Sequence, residues 1–225
     1  MTQQKHISKQ LDQDLDELKA ELLAMGQLVD RQVSSAIDAF CRGDHGRAAE
    51  VIHGDDAVNQ LERGIDQQCI NLLARWQPEA SDLRLVTAVL KIVTDLERIG
   101  DLAVSIAEQA NQLDPMHRLR AVEDLSQIGE VALDMLRQAL RAFLTRDEGG
   151  FQAVMTCYRD VEGAMQRLAS ELRDVMRENP ASIPNGLATI SVAKHVERTA
   201  AHASNIAEMV VYIARGEDVR HLEQP

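Results

Sequence analysis

The 225-residue chain is 45% hydrophobic and 27% charged, but only 3% aromatic, a balance that favours a globular protein built from helices. Its formal net charge of -12 at pH 7 argues against a nucleic-acid-binding surface, which needs Lys and Arg to neutralise phosphates. The N-terminus lacks the apolar core of a signal peptide, no apolar run could span a bilayer, and the three cysteines are far apart, so we expect a cytoplasmic protein that meets membranes only through partners.

Three long helices are predicted in the first half of the chain. The first carries apolar residues in steps of three and four over Leu11–Phe40, the stripe of an amphipathic helix. Asp44 is a suitable N-cap for the second helix, which Pro78 ends. The third has the most regular heptads, over residues 85–113, and stops at Asp114-Pro115. A seam of this period is typical of long helices that pack almost parallel in a bundle.

The second half repeats this plan. A fourth helix has its apolar side over residues 122–143, and a fifth alternates in threes and fours over residues 151–175. Two Pro-containing segments, Asn179-Pro180 and Ile183–Gly186, are predicted to form the next turn. The sixth helix is predicted from about Leu187 to Arg215. No run of alternating residues predicts a strand.

The two halves also resemble each other in sequence. When Glu97 is placed on Glu197, five further residues are identical in the two copies: Arg98/Arg198, Ala103/Ala203, Ile106/Ile206, Ala107/Ala207 and Glu108/Glu208. Internal repeats of this kind indicate duplicated structural units. We therefore predict an all-α fold of two tandem three-helix bundles, one over residues 1–114 and one over residues 115–225, the second with a short polar C-terminal tail.

Glu97 and Asp101 are the first candidates for a metal site. They are four residues apart, so on a helix they stand on one face, one turn apart. The heptad seam predicts that this face, together with Glu108, points away from the bundle. Hard cations bind oxygen-rich clusters of this kind, although such pairs are also common as ordinary surface charges, here with Lys91 and Arg98 as partners.

Other candidates give weaker signals. An acidic stripe on the second helix could face Glu97 and Asp101, or could simply be solvated: Asp55, Asp56, Asn59, Glu62 and Asp66. Glu50 and His53 match half of a di-metal Glu-x-x-His pattern that has no second copy, so we interpret the match as chance. His195 and His202 flank Glu197 and could supply nitrogen ligands, but a lone helical histidine is more often an ordinary residue.

The motifs resemble those of the PhoU family. The third helix of the first repeat reads Leu-Glu-Arg-Ile-Gly-Asp over residues 96–101, the sixth carries Asn-Ile-Ala-Glu over residues 205–208, and Asp-Ala-Val-Asn spans 56–59. The resemblance implies a cytoplasmic, all-helical, often dimeric regulator that is not an enzyme. Such proteins restrain the high-affinity phosphate importer and its phosphate-starvation signalling, with the importer ATPase subunit and a sensor histidine kinase as partners.

The resemblance also implies site residues. The family's Glu-x-x-x-Asp motifs hold iron or other divalent ions, which here assigns Glu97 and Asp101 to one site. The second site would use Glu197 and His202, with Ala201 in place of the aspartate, and is expected to bind metal more weakly. The expected partner surface consists of Asp55, Asn59, Glu62, Arg98, Arg198 and Asn205.

Two other interpretations remain at this stage. One is a carboxylate-bridged di-metal enzyme, an oxidase or hydrolase built on a helical bundle. Its paired Glu-x-x-His motif is missing, and the predicted carboxylates point away from a dry core. The other is a structural helical scaffold that serves a different ion transporter.

Overall fold

The computed structural model describes residues 2–113 and 119–217, with side chains from residue 9 onward. Over this part of the chain the protein forms six helices and no strand: α1 (Thr2–Arg42), α2 (His45–Trp76), α3 (Ala80–Ala110), α4 (Ala121–Thr145), α5 (Glu148–Glu178) and α6 (Ile183–Arg215), with a single 3-10 turn at Pro180–Ser182. The prediction of an all-α fold with two sets of three helices is confirmed.

Local sequence explains most of the helix ends. The Asp44 side chain accepts a hydrogen bond from the backbone N–H of Arg47 at 3.0 Å and caps α2, which satisfies a donor that the helix leaves unpaired. Asp147 caps α5 through the N–H of Gly149. The break predicted at Asp114-Pro115, and with it the division between residues 1–114 and 115–225, lies outside the described residues and stays a prediction.

The start of α6 differs from the prediction. Ile183–Gly186 was expected to lie in a turn, yet α6 begins at Ile183 and contains both Pro184 and Gly186. Proline is tolerated in the first turn of a helix because the N–H it lacks would have no partner there. Gly186 is buried against the side chain of Met176, and a Cβ would not fit between them. Close packing, rather than chain reversal, accounts for this glycine.

Helices α1, α2 and α3 pack on one another as one bundle, and α4, α5 and α6 as the other. The bundles join along two contacts, α3 against α6 and α1 against α4. Buried residues from all six helices form one continuous hydrophobic core.

The internal duplication is visible in the packing. Five of the six buried residues of α2 have a buried counterpart in α5, 103 positions later in the sequence. Between α3 and α6 the offset is 100 positions. Residues 90–100 and 190–200 are buried, half-buried or exposed in the same order, position by position. These two sequence offsets allow the side chains of one repeat to be matched with those of the other.

Paired glycines allow α1 and α4 to cross closely. Gly26 lies against Leu140 and Gly129 lies against Ile37, and at either glycine a Cβ would overlap the opposing side chain. Both glycines and both apolar partners are 103 residues apart, so the duplication relates the two contacts to each other.

Candidate functional site

Four carboxylates lie together where α2 packs on α3. We call them the first acidic cluster, and they are Asp55, Glu62, Glu97 and Asp101. The close approach of the helices depends on Gly100, where a Cβ would lie 3.2 Å from Val58 Cγ1 and 3.6 Å from Asp55 Oδ1. Part of the predicted α2 stripe therefore faces α3: Asp55, Asn59 and Glu62 are half-buried, whereas Asp56 is exposed.

The cluster carries more negative charge than its neighbours neutralise. Burial, reinforced by repulsion from Asp101, raises the pKa of Glu97 above its ordinary value, although Arg98 opposes the shift. Burial also raises the pKa of Asp55, although Asn59 Nδ2 donates a hydrogen bond of 2.8 Å to this carboxylate. Arg98 reaches Glu97 at 3.4 Å and Asp101 at 3.2 Å. The negative charge of Asp101 thus makes both Glu97 and Asp55 harder to ionise.

The prediction that the Glu97 face points away from the bundle is only partly right. The Asp101 side chain is 46% exposed, but that of Glu97 is only 18% exposed. Glu108 is exposed but lies near His195 of α6, where its charge acts on the imidazole. The heptad seam marks one packing face, whereas α3 contacts α1, α2 and α6, so the faces outside the seam are also covered.

The first acidic cluster suits a hard cation by donor type and charge, because all four of its members offer carboxylate oxygens. Within the described residues, no three His, Cys, Asp or Glu side chains come close enough together to hold a metal ion. The metal assignment of Glu97 and Asp101 therefore stays a prediction, favoured by the donor set.

The second repeat carries different residues at the equivalent place. Three side chains of α5 occupy the positions of Asp55, Asn59 and Glu62: Tyr158, Glu162 and Met165. Tyr158 and Glu162 stand one turn apart on α5. Burial, followed by the charges of Glu162 and Glu197, raises the pKa of the Tyr158 phenol. Tyr158 falls in the three-four alternation of the fifth helix, so the sequence pattern predicts an apolar position and not one beside carboxylates. Alignment of the fifth helix with the second would have revealed its place beside carboxylates.

His202 and Asn205 face the other repeat. His202 Nδ1 lies 2.8 Å from Asp95 Oδ1, and Asn205 Nδ2 donates to the same oxygen at 3.2 Å. The His202 and Asp95 side chains are only 19% and 17% exposed. Glu197 instead lines a separate groove between α5 and α6. The structure does not bring His202 to Glu197, so a metal site that contains both stays a prediction.

Arg198 is exposed on α6, as Arg98 is on α3. The expected partner residues therefore do not form one surface, because Asn205 belongs to the α3–α6 contact while Asp55, Asn59 and Glu62 belong to the α2–α3 contact. Asp95, which joins the repeats, was not among the predicted site residues, although it lies only two residues before Glu97.

Among the described residues, no helix is both long enough and apolar enough to cross a membrane.

Comparison with known sequences decides the family. The PhoU domain matches the chain twice, over residues 22–110 and 125–210. The chain belongs to the PhoU family.

Relatives resemble the chain over almost its full length. It is 41% identical over 218 residues to the phosphate-specific transport system accessory protein PhoU homolog of Pseudomonas putida, covering 96% of this chain and 85% of that protein. The crystal structure of PhoU from Pseudomonas aeruginosa matches with a TM-score of 0.87 at 39% identity, covering 92% of this chain and 99% of that chain. The phosphate transport system regulatory protein PhoU from Streptococcus pneumoniae gives the same TM-score at 33% identity, covering 93% and 99%. The twofold PhoU match also agrees with the duplication seen in the packing.

The charge of the first acidic cluster in this PhoU chain predicts a pH-dependent stability. Because the pKa of Glu97 is raised in the folded protein, its ionisation costs stability as the pH rises from the ordinary glutamate pKa to the raised value, and the cost persists at neutral pH. We expect Glu97→Gln to raise the Tm at pH 7 by roughly 1–4 °C in EDTA, and to have little effect at pH 4.

The control for this prediction is Glu171→Gln, which neutralises an exposed glutamate of α5 and should leave the Tm unchanged at both values of pH. A Glu97→Gln protein with an unchanged or lower Tm at pH 7 would contradict the assigned electrostatic cost.

Proposed function

We propose that this chain is a non-enzymatic regulator of phosphate homeostasis. In this proposal it restrains the high-affinity phosphate importer and keeps phosphate-starvation two-component signalling off while phosphate is plentiful. The observation that carries the proposal is the twofold PhoU match, together with similarity over nearly the whole chain to proteins named as accessory or regulatory in phosphate transport.

The proposed mechanism is that of an adaptor between the importer ATPase subunit and the sensor histidine kinase. Six long helices present extended faces, and the chain carries a formal net charge of -12. Acidic faces attract basic patches on partner proteins and set which partners bind and how fast. We propose that the protein acts in the cytoplasm as a homodimer and reaches the membrane only through the importer.

A cation belongs to the same proposal. A divalent or iron ion at the first acidic cluster would supply the positive charge that Arg98 alone does not provide, and would fix α2 relative to α3. Glu97 and Asp101 would hold it from α3, with Asp55 and Glu62 available from α2. This neutralisation would oppose both the burial and the repulsion from Asp101 that raise the pKa of Glu97 and of Asp55.

The regulatory role is tested by deletion of the gene. We expect a phosphate-responsive reporter to stay active in phosphate-rich medium at about the level of phosphate-starved wild-type cells, and a wild-type copy to switch it off again. Purified protein should also capture the importer ATPase subunit and the sensor kinase. A reporter that stays off in the deletion strain would refute the role, and capture of neither partner would favour a scaffold for another transporter.

A further inference from the structure

The two repeats place different chemistry on equivalent helix faces. In the first repeat, α2 and α3 together contribute four carboxylates, and Arg98 is the cation paired with Glu97 and Asp101. In the second, the positions equivalent to these four carboxylates contribute only Glu197, and Glu162 stands at the position of Asn59. The match between positions depends on the buried residues, which fix the alignment of α2 with α5 and of α3 with α6.

Most exchanges in the acidic stripe and at Asp101 remove a carboxylate, and only Asn59 to Glu162 adds one. Five positions lose a carboxylate from the first repeat to the second: Asp55 to Tyr158, Asp56 to Arg159, Glu62 to Met165, Asp66 to Ala169 and Asp101 to Ala201. In addition, Lys194 stands where the first repeat has Thr94, and it lines the α5–α6 groove together with Met165 and Glu197. A thioether is a poor ligand for a hard cation, and neighbouring ammonium and guanidinium groups repel one.

The remaining carboxylates of the second repeat also have other neighbours. In the first repeat, Asn59 donates to the Asp55 carboxylate one turn away. In the second, the carboxylate stands at Glu162, one turn of α5 away from Tyr158, and both side chains are half-buried. A phenol keeps its proton at neutral pH, so Tyr158 offers Glu162 a hydrogen-bond donor and offers a metal ion no charged ligand. Ala200 also places a methyl group at the position where Gly100 allows α2 to approach α3 closely.

We propose that the second repeat does not bind a cation, and that Tyr158, Glu162 and Glu197 form a metal-independent contact at the equivalent place between α5 and α6. The residues there do not fit a metal ion, so any cation that this chain binds at its repeats belongs to the first acidic cluster. The inference deepens the proposed cation site but does not need it, since the second repeat can be tested alone.

Calorimetric titration with Mn²⁺, combined with metal analysis after dialysis, tests the proposal. We expect Glu162→Gln combined with Glu197→Gln to leave the amount of bound Mn²⁺ unchanged. A decrease in these variants would overturn the proposal, because it would place a cation on the second repeat. If the wild-type chain binds no Mn²⁺, the first-repeat cation site is refuted, while the proposal that the second repeat binds no cation is upheld.

A gain-of-binding variant provides the converse test. In a chain whose first acidic cluster is neutralised by Glu97→Gln and Asp101→Asn, we expect Tyr158→Asp, Met165→Glu and Ala201→Asp together to add about one equivalent of Mn²⁺. Circular dichroism establishes that the variant is folded. A folded variant that binds no Mn²⁺ would show that these three exchanges do not account for the absence of cation binding in the second repeat.

The contact itself has a readout that needs no cation. We expect Tyr158→Phe to lower the Tm by roughly 2–4 °C in EDTA, since it removes the hydroxyl that the proposed contact offers to Glu162, and Mn²⁺ should not restore the difference. An unchanged Tm, or restoration by Mn²⁺, would contradict a metal-independent contact.

Discussion

Replacement of Phe40 or Phe143 by Ala is expected to lower the free energy of unfolding by about 3–5 kcal/mol each, the usual cost of emptying a buried aromatic site. The two side chains are 0% and 1% exposed and lie near the C-terminal ends of α1 and α4. They are 103 residues apart, so they occupy equivalent places in the two bundles. The loss combines the transfer of the ring to water with the cavity that remains.

Urea unfolding followed by circular dichroism measures this effect. Leu187→Ala is the control, because Leu187 is 58% exposed and its truncation should change stability by less than about 0.5 kcal/mol. Since one core joins all six helices, both phenylalanine variants should unfold in a single transition. Separate transitions for the two halves would contradict a shared core.

The sequence predicted those parts of the fold that depend on neighbouring residues. Heptads over residues 85–113 indicate a long helix whatever it packs against, and Asp44 caps α2 through an N–H only three residues away. The duplication was also readable, because Glu97 and Glu197 lie in stretches that remain similar. Periodicity and capping are local properties, so they need no knowledge of the third dimension.

The candidate site was harder to predict because its details depend on contacts between distant helices. Nothing near Glu97 in sequence indicates that α2 covers it, and nothing near His202 indicates that Asp95, 107 residues earlier, accepts its hydrogen bond. Tyr158 falls in the apolar stripe of its own helix, and only the packing of α6 on α5 brings Glu197 near it. A hydrophobic stripe tells which side of a helix is buried, but not which polar side chain will meet it there.

Helix α3 connects the two features that matter most for the proposed regulation. Glu97 and Asp101 face α2 in the first acidic cluster, whereas Asp95 bonds across the repeat boundary to His202 and Asn205 of α6. A helix shifts largely as a unit because its backbone hydrogen bonds hold it together. In the cation proposal, neutralisation of the cluster therefore acts on the same helix that joins the repeats.

The cation proposal predicts a large change when Glu97→Ala and Asp101→Ala are combined. We expect bound divalent metal to fall to the level of the dialysis buffer, with helicity intact, because both side chains lie outside the hydrophobic core. A ligand that binds only the folded state adds about 2.7 kcal/mol of stability at a hundred times its Kd. Mn²⁺ should therefore raise the Tm of the wild-type protein but not that of the variant.

The matched control is Glu123→Ala combined with Asp124→Ala, which removes two exposed carboxylates of α4 and the same formal charge from the chain. It should bind Mn²⁺ as the wild-type protein does, because long-range attraction between an exposed charge and a distant ion is screened beyond about 8–10 Å. If the control loses as much metal as the Glu97 and Asp101 variant, binding follows net charge and not the first acidic cluster. If metal content is unchanged in the Glu97 and Asp101 variant, these two carboxylates are not the ligands.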